Sequence, residues 1–428
     1  METSDDTSSR LSPEQARANY RRLVLDIAWF GLAFPAIAQY LSLYAIRLNA
    51  SAALLGWLAA LPSVVALATS ALAGWWGRKF SNIVVAQFWP GVAYRLSFLL
   101  PALTPIFPSK WQTLWLLLTA TLPAIAMGVS SVLFLVLMQR GIENREMVAL
   151  TSRRSLVFNI TVGITTLVFG FWLTEGPFPF NYQAMFVVAF VLSMLSLFNV
   201  RRMQVPTPEP PLSPERPPIQ PWKSMTFRRV AFVTIIAHVA LFSIVPIISL
   251  RLVDDLGANE GFMSIFALAG QITAAIAAAF TNRIIRQIGT LNTIAIGLIG
   301  TGLSAVVFAL SPYLVLTIPA SALGGAAWTA AAIALFGYFS DNAPAESLTS
   351  FTTAYNQIVM LAVFVGPMIG SQLASNTSLG LGTVLLLGAV LRVLVGGLIY
   401  GMNMDWRGRF RRRPVLVTRT ARQSGGSP

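Results

Sequence analysis

Long apolar runs, each of about 20 residues, the length an α-helix needs to cross a hydrocarbon core, set the pattern of this chain. Six occupy residues 23–46 (span 1), 53–73 (span 2), 83–103 (span 3), 113–137 (span 4), 155–174 (span 5) and 182–200 (span 6). Six more occupy 230–250 (span 7), 262–280 (span 8), 292–310 (span 9), 313–339 (span 10), 352–373 (span 11) and 379–402 (span 12). Between the two sets lies 201–221, RRMQVPTPEPPLSPERPPIQP, with eight prolines and no apolar run, which reads as an extended, semi-rigid linker outside any packed element. The expected fold is an all-α integral membrane protein with twelve transmembrane helices in two six-helix bundles. Its expected divisions are an N-tail over 1–22, a first bundle over 23–200, a cytoplasmic linker over 201–229, a second bundle over 230–402 and a basic C-tail over 403–428. Ser12-Pro13-Glu14-Gln15 has the form of a capped helix start with proline at the first position, which predicts a short interfacial helix ahead of span 1.

Composition sharpens this picture. Charged residues make up 11% of the chain, where a soluble protein carries about 25%, and hydrophobic residues make up 55%. Cysteine is absent, which excludes disulfides, thiolate metal sites and a cysteine nucleophile, and the single histidine, His238, cannot build a multi-histidine metal site. The acidic, polar start METSDDTSSR has no signal-peptide character, so span 1 itself is expected to lead the chain into the membrane. A net charge of +14 raises the question of nucleic acid, but its placement answers it. Of the 30 lysines and arginines, 25 fall in the two tails, the linker and the loops on one face; Arg47, Lys110 and Arg251 fall on the other, and Arg95 and Arg392 lie within spans. Positive charge accumulates on cytoplasmic loops, so both termini are expected in the cytoplasm of a bacterial inner membrane, with no nucleic-acid partner.

The halves repeat each other weakly. Arg47-Leu48-Asn49-Ala50 after span 1 parallels Asp255-Leu256-Gly257-Ala258 after span 7, and Phe158-Asn159 on span 5 parallels Tyr355-Asn356 on span 11. Such traces mark a repeat about the membrane normal.

Two short motifs add to the topology. Gly77-Arg78-Lys79 closes the loop between spans 2 and 3, with Gly74 four residues before Arg78, and Gly366-Pro367-Met368-Ile369-Gly370 lies on span 11. Six spans, a long linker, six spans and these motifs resemble the major facilitator superfamily over nearly the whole chain. The loop departs from the family pattern by having Gly74 where an aspartate is usual, and the G-P-x-x-G element lies on span 11 where family antiporters carry it on span 5. Small residues beside a proline serve close helix packing or a flexing point.

The resemblance implies alternating access to a solute site near mid-membrane, lined mainly by spans 1, 4, 7 and 10. Its candidate residues are Phe34, Pro35 and Gln39 on span 1, Pro123, Met127 and Ser130 on span 4, His238, Phe242, Ser243 and Pro246 on span 7, and Gly324, Gly325, Trp328 and Tyr338 on span 10. Asn159 on span 5, Gln271 on span 8, and Tyr355, Asn356 and Gln357 on span 11 join them. Each can equally serve helix packing. Asp26, one turn from Arg22, and His238, deep in span 7, are the candidate coupling groups, with protons as the coupling ion. Arg95 and Arg392 need partners within the membrane, and structural anchoring is the expected role for both.

No P-loop and no nucleophile with a convergent base occurs, so neither enzymatic activity nor a cofactor is expected. The leading function is a monomeric secondary or facilitative transporter of a small organic solute, neutral, anionic or amphiphilic, in a lipid bilayer. Lipid or drug movement by the same fold is the alternative. A non-transporting sensor or scaffold, motivated by the altered loop motif and the basic Arg407, Arg409, Arg411, Arg412 and Arg413, is the alternative of another class.

Overall fold

The computed structural model describes residues 11–142, 144–205, 220–344, 348–376 and 378–410. The first ten residues, most of the proline-rich segment and the arginines from Arg411 onward lie outside the described residues. The described ones form helices without a strand. Twelve of these helices are long and apolar enough to cross a membrane: Pro13–Arg47, Ala52–Ser70, Ile83–Ile106, Ser109–Gly141, Arg153–Glu175, Phe180–Arg201, Met225–Asp255, Glu260–Ile288, Thr290–Leu310, Leu314–Asn342, Phe351–Ser375 and Gly380–Met402. They are spans 1 to 12. Below, the base is the end where span 1 begins and span 12 ends, and the top is the opposite end.

Span 1 begins earlier than its apolar run. Ser12 Oγ accepts from the Gln15 amide at 3.2 Å and Gln15 Oε1 accepts from the Ser12 amide at 2.9 Å, so the expected capping box is present. The expected separate interfacial helix is not, because no helix breaker lies between Pro13 and Ala33 and the helix runs straight into the span. Its first turns bury Ala16, Asn19 and Leu23. Asn19 is fully buried; its amide donates to the carbonyls of Gly141 at 2.9 Å and Gln204 at 2.7 Å, and its Oδ1 accepts from the Gln204 amide at 3.0 Å. One side chain thus ties spans 1, 4 and 6 together at the base. Asn19→Leu leaves the buried Gly141 carbonyl unpaired and removes the two part-buried bonds to the Gln204 backbone, and at about 1–3 kcal/mol for the buried group it is expected to lower the thermal unfolding midpoint of the purified protein below that of a surface control such as Arg21→Leu.

Prolines interrupt two spans at corresponding places. Span 1 is α-helical to Ala33 and continues after Pro35 as a π-turn over Ala36–Tyr40, since proline has no N–H to give and its ring clashes with the carbonyl four residues back. Span 7 stops at Phe242 and restarts at Val245–Leu250 with Pro246 in the first turn, then ends in a π-turn, Arg251–Asp255. The break leaves carbonyls at the end of a helix without amide partners. Arg392 of span 12 fills them: its guanidinium donates to Ala240 O at 3.2 Å and Leu241 O at 2.5 Å, and to Thr301 O of span 9 at 3.0 Å. A cation at a helix C-terminus is also favoured by the helix dipole.

The repeat seen in the sequence has a geometric counterpart. Asn49 and Gly257 both adopt positive φ, 58° and 70°, at the turns after spans 1 and 7. Two residues later Ser51 and Asn259 each cap the next span by accepting from a backbone amide. Only the second turn uses glycine; asparagine tolerates the left-handed region in the first.

The two bundles meet near the top. The largest buried apolar cluster draws on both, with Tyr44, Leu55 and Phe169 from the first and Ile247, Met263 and Val384 from the second. Toward the base the buried clusters belong to one bundle each, around Leu133 and Leu197 in the first and around Leu298 and Phe351 in the second. Two glycine contacts let the bundles approach at the top. A Cβ on Gly56 of span 2 would lie 1.8 Å from Ser371 Oγ of span 11, and one on Gly170 of span 5 would lie 1.7 Å from Ser264 Oγ of span 8. Gly56 and Ser264 are separated by the same sequence offset as Asn49 and Gly257. The repeat axis therefore exchanges the two contacts, with glycine and serine trading places.

Candidate functional site

Directly beneath the closed top lies a cavity of about 440 Å³ walled by both bundles, with Phe34 and Gln39 of span 1, Met127 of span 4, Phe242 and Pro246 of span 7 and Pro367 of span 11 on its surface. The broken stretches of spans 1 and 7 thus face one another across it. A second chamber of about 280 Å³ lies toward the base within the first bundle and shares Phe34, Tyr94 and Met127 with the cavity above. The upper volume lies within the roughly 300–1,000 Å³ of small-molecule sites, and the lower chamber extends it.

The upper cavity is mainly apolar, with Gln39 as its clearest polar group; the Gln39 amide donates to Met263 O of span 8 at 3.1 Å, across the bundles. The lower chamber is polar on one wall, built from Asp26, Gln87, Arg95, Ser130, Ser131 and Arg154. Asp26 Oδ2 accepts from Arg154 Nη1 at 3.0 Å, and Asp26 Oδ1 accepts from Ser196 Oγ at 2.6 Å. Ser196 Oγ in turn accepts from Arg95 Nη2 at 2.9 Å, while Arg95 also donates to Ser193 O at 2.6 Å and Gly91 O at 3.0 Å. Arg154 donates further to Leu23 O. Gln87 gives its amide to Ser130 Oγ at 2.9 Å, and its buried Oε1 has no partner.

Asp26 was expected beside Arg22, one turn away. Instead Arg22 donates to Arg202 O, and Asp26 is buried and faces span 5, where Arg154 can reach it. Arg95, expected as a peripheral anchor, is buried between spans 3 and 6 and also lines the lower chamber. Arg392 serves the span 7 break and lines neither space.

The other candidates divide. Phe34, Gln39, Met127 and Phe242 line the upper cavity, and Phe34 and Met127 the lower as well. His238 is buried outside both, its Nδ1 2.8 Å from Thr234 O, and its ring packs against Phe242 and Trp328 with centroids 6.1 and 5.3 Å away. Trp328 therefore contacts Phe242 from behind the cavity wall. Tyr355 is buried in a stack with Phe339, while Asn159 and Asn356 are exposed and line neither space. Gln271 is half-buried opposite Gly163, at the contact of spans 5 and 8. At the loop motif, Gly77 packs on Leu133, Arg78 is exposed, and Lys79 Nζ sits 3.6 Å from the ring centre of Trp75. Gly366 and Gly370 seat span 11 on Phe242 and Ser243 of span 7, where a Cβ on Gly370 would lie 1.7 Å from Ser243 O. Pro367 between them reaches the cavity.

Polar contacts also close the top. Arg47 of span 1 donates to both carboxylate oxygens of Glu260, at 2.8 and 2.9 Å, and Tyr182 of span 6 donates to Glu260 Oε1 at 2.8 Å. Next to it the Gly261 amide donates to Thr174 Oγ1 of span 5 at 2.9 Å. Sequence reasoning took Arg47 as a loop charge and part of the repeat trace and Arg154 as a loop charge, and did not single out Glu260, Gln87 or Ser196. Among the described residues no group of three or more His, Asp or Glu is placed to hold a metal.

Two six-helix bundles around a shared, largely apolar cavity define a transporter-type membrane fold. The Major Facilitator Superfamily model matches residues 23–367, and the chain belongs to that family. No curated protein sequence matches it significantly. A crystal structure of the nucleoside transporter NupG superposes with a TM-score of 0.70 at 12% identity, covering 90% of this chain and 99% of that one. A bacterial homologue of the human lysosomal transporter Spinster, in an inward-facing and occupied conformation, gives 0.70 at 12% identity over 95% of this chain and 99% of that one. The POT family transporter PepTSo gives 0.67 at 12% identity over 94% of this chain and 99% of that one. At these identities the likeness is one of fold.

Proposed function

We propose that the chain carries a small organic solute across the membrane by alternating access, residues 23–200 rocking against 230–402. The observation that supports this is a cavity walled by both bundles beneath contacts gathered at the top, while the apolar clusters toward the base stay within single bundles. In this state a solute reaches the cavity from the base; parting of the top contacts gives access from the other side. The excess of lysine and arginine toward the base supports cytoplasmic termini in a bacterial inner membrane, so this is the cytoplasm-facing state. One chain carries the whole cavity, which favours a monomer. Asp26 is the better placed coupling group, since it lines the lower chamber and His238 lines neither space. The mainly apolar upper cavity also favours a second reading, export or flipping of an amphiphile.

The test is counterflow in vesicles containing the purified protein. Saturable uptake of a soluble compound is expected. It should stop when a bifunctional reagent joins cysteines placed at Trp57 and Phe364, whose rings meet across the bundles with centroids 6.4 Å apart, since the chain has no cysteine of its own. Lipid scrambling without solute uptake would favour the amphiphile, and no saturable flux in either assay would defeat both readings.

A further inference from the structure

We propose that the lower chamber holds the monoanionic oxygen group, a carboxylate, of an apolar or aromatic solute whose body extends into the upper cavity. The inference rests on the transporter reading for its biological sense, but the site is argued from its own groups.

Charge comes first. Arg95 and Arg154 line the chamber against the single carboxylate of Asp26, and no lysine, histidine or glutamate joins them. The chamber therefore carries one unbalanced positive charge, with Arg95 buried and the Arg154 side chain only 12% exposed. An uncompensated charge in a low-dielectric interior is unfavourable, and one incoming negative charge relieves it. A dianion would reverse the imbalance instead of removing it.

Donor capacity comes second. Both Asp26 oxygens are already engaged, so Asp26 holds the arginines in place and has little left to offer a guest. Arg154 uses Nη1 on Leu23 and Asp26, and its Nε and Nη2 have no hydrogen-bond partner among the described residues. Two adjacent guanidinium N–H groups fit a carboxylate in bidentate fashion.

Shape comes third. Phe34, Tyr94 and Met127 border both spaces, so a flat or flexible apolar body can pass between them from a head group beside Arg154. A phosphodiester lipid carries the same charge, but its two acyl chains need more room than a cavity of about 440 Å³ gives.

The test is binding to the purified full-length protein in detergent, using naphthoate and phenylpropionate, each against its carboxamide, with naphthyl phosphate as the dianion. The acids are expected to bind about tenfold or more tightly than their amides, and more tightly than naphthyl phosphate. Arg154→Gln should abolish the preference for acid over amide, and Arg154→Lys should retain part of it. Asp26→Asn, which raises the chamber's charge, should keep naphthoate and newly admit naphthyl phosphate, an outcome that simple damage to the fold does not produce. If Arg154→Gln fails to fold, the acid and amide comparison and the Asp26→Asn shift still decide. Equal binding of acid and amide overturns the proposal, as does an acid preference that survives in Arg154→Gln, or protection by phosphatidylglycerol nanodiscs without naphthoate binding. Saturable flux of a neutral solute with no acid preference overturns this inference and leaves transport standing. Acid binding without any flux does the reverse.

Discussion

Glu260→Gln is expected to open the top of the molecule. Glu260 is buried at the first position of span 8 and holds three elements of the other bundle: Arg47 of span 1 through both oxygens, Tyr182 of span 6, and, through the adjoining Gly261 amide, Thr174 of span 5. Glutamine keeps the size of the side chain but presents an NH₂ to the Arg47 guanidinium, so a donor meets a donor and the ion pair is lost. Each hydrogen bond to a charged group contributes about 1.5–3 kcal/mol. The Arg47 side chain is 38% exposed, so its share is reduced by solvent screening, while the Tyr182 bond is fully buried. A net loss of about 1.4–2.8 kcal/mol for the top-closed state follows, which shifts a two-state equilibrium by about ten- to a hundredfold. The check is pulsed electron paramagnetic resonance between spin labels on Ser109→Cys and Ser378→Cys, both exposed top-side positions in different bundles. A longer-distance population should grow in Glu260→Gln, and an unchanged distribution would show that the ion pair does not govern closure.

What the sequence made legible is what local properties decide. The length of each apolar run is local, so all twelve spans could be placed from it, and their ends shift outward mainly where charged residues such as Arg17, Arg21 and Arg22 continue a helix past its apolar stretch. The parallel of Asn49 with Gly257 was also legible, because a backbone of positive φ restricts which residues can occupy it. The side a span presents to its neighbours was not. His238 and Phe242 lie one turn apart on a helix that is apolar all round, yet Phe242 faces the cavity and His238 faces Trp328. Spans 1 and 7 could be expected to line the site only through the resemblance. Pairings between distant spans were hidden for the same reason: Arg154 belongs to the charge-rich approach to span 5, and only the packing of spans 1, 3, 5 and 6 brings it, Asp26, Ser196 and Arg95 into one network.

The larger effect on closure is expected from Gly170→Val. A Cβ at Gly170 would stand 1.7 Å from Ser264 Oγ, 2.6 Å from Ser264 Cβ and 3.0 Å from Glu260 O. Rotating the serine hydroxyl removes only the first of these clashes; the other two involve atoms fixed to the backbone of span 8, so spans 5 and 8 must separate. Overpacking a close contact costs about 1–3 kcal/mol, and valine's two further methyl groups place it at the upper end. That cost arises only while the top is closed, so the variant should fold, rest with the top parted, and lose counterflow because the top-closed half of the cycle is out of reach. The spin-label pair above should report mainly the long distance. A merely destabilised protein would instead lose its thermal midpoint with the short distance retained. The pseudo-symmetric contact of Gly56 with Ser371 supplies the control, since there the glycine belongs to span 2 and the serine to span 11. Exchanging the pair at the other contact, Gly170→Ser with Ser264→Gly, reproduces that arrangement and should recover closure and part of the flux, whereas Gly170→Ser alone should not. Failure of the exchange to do better than the single substitution would mean that the two contacts are not equivalent parts of one closing device.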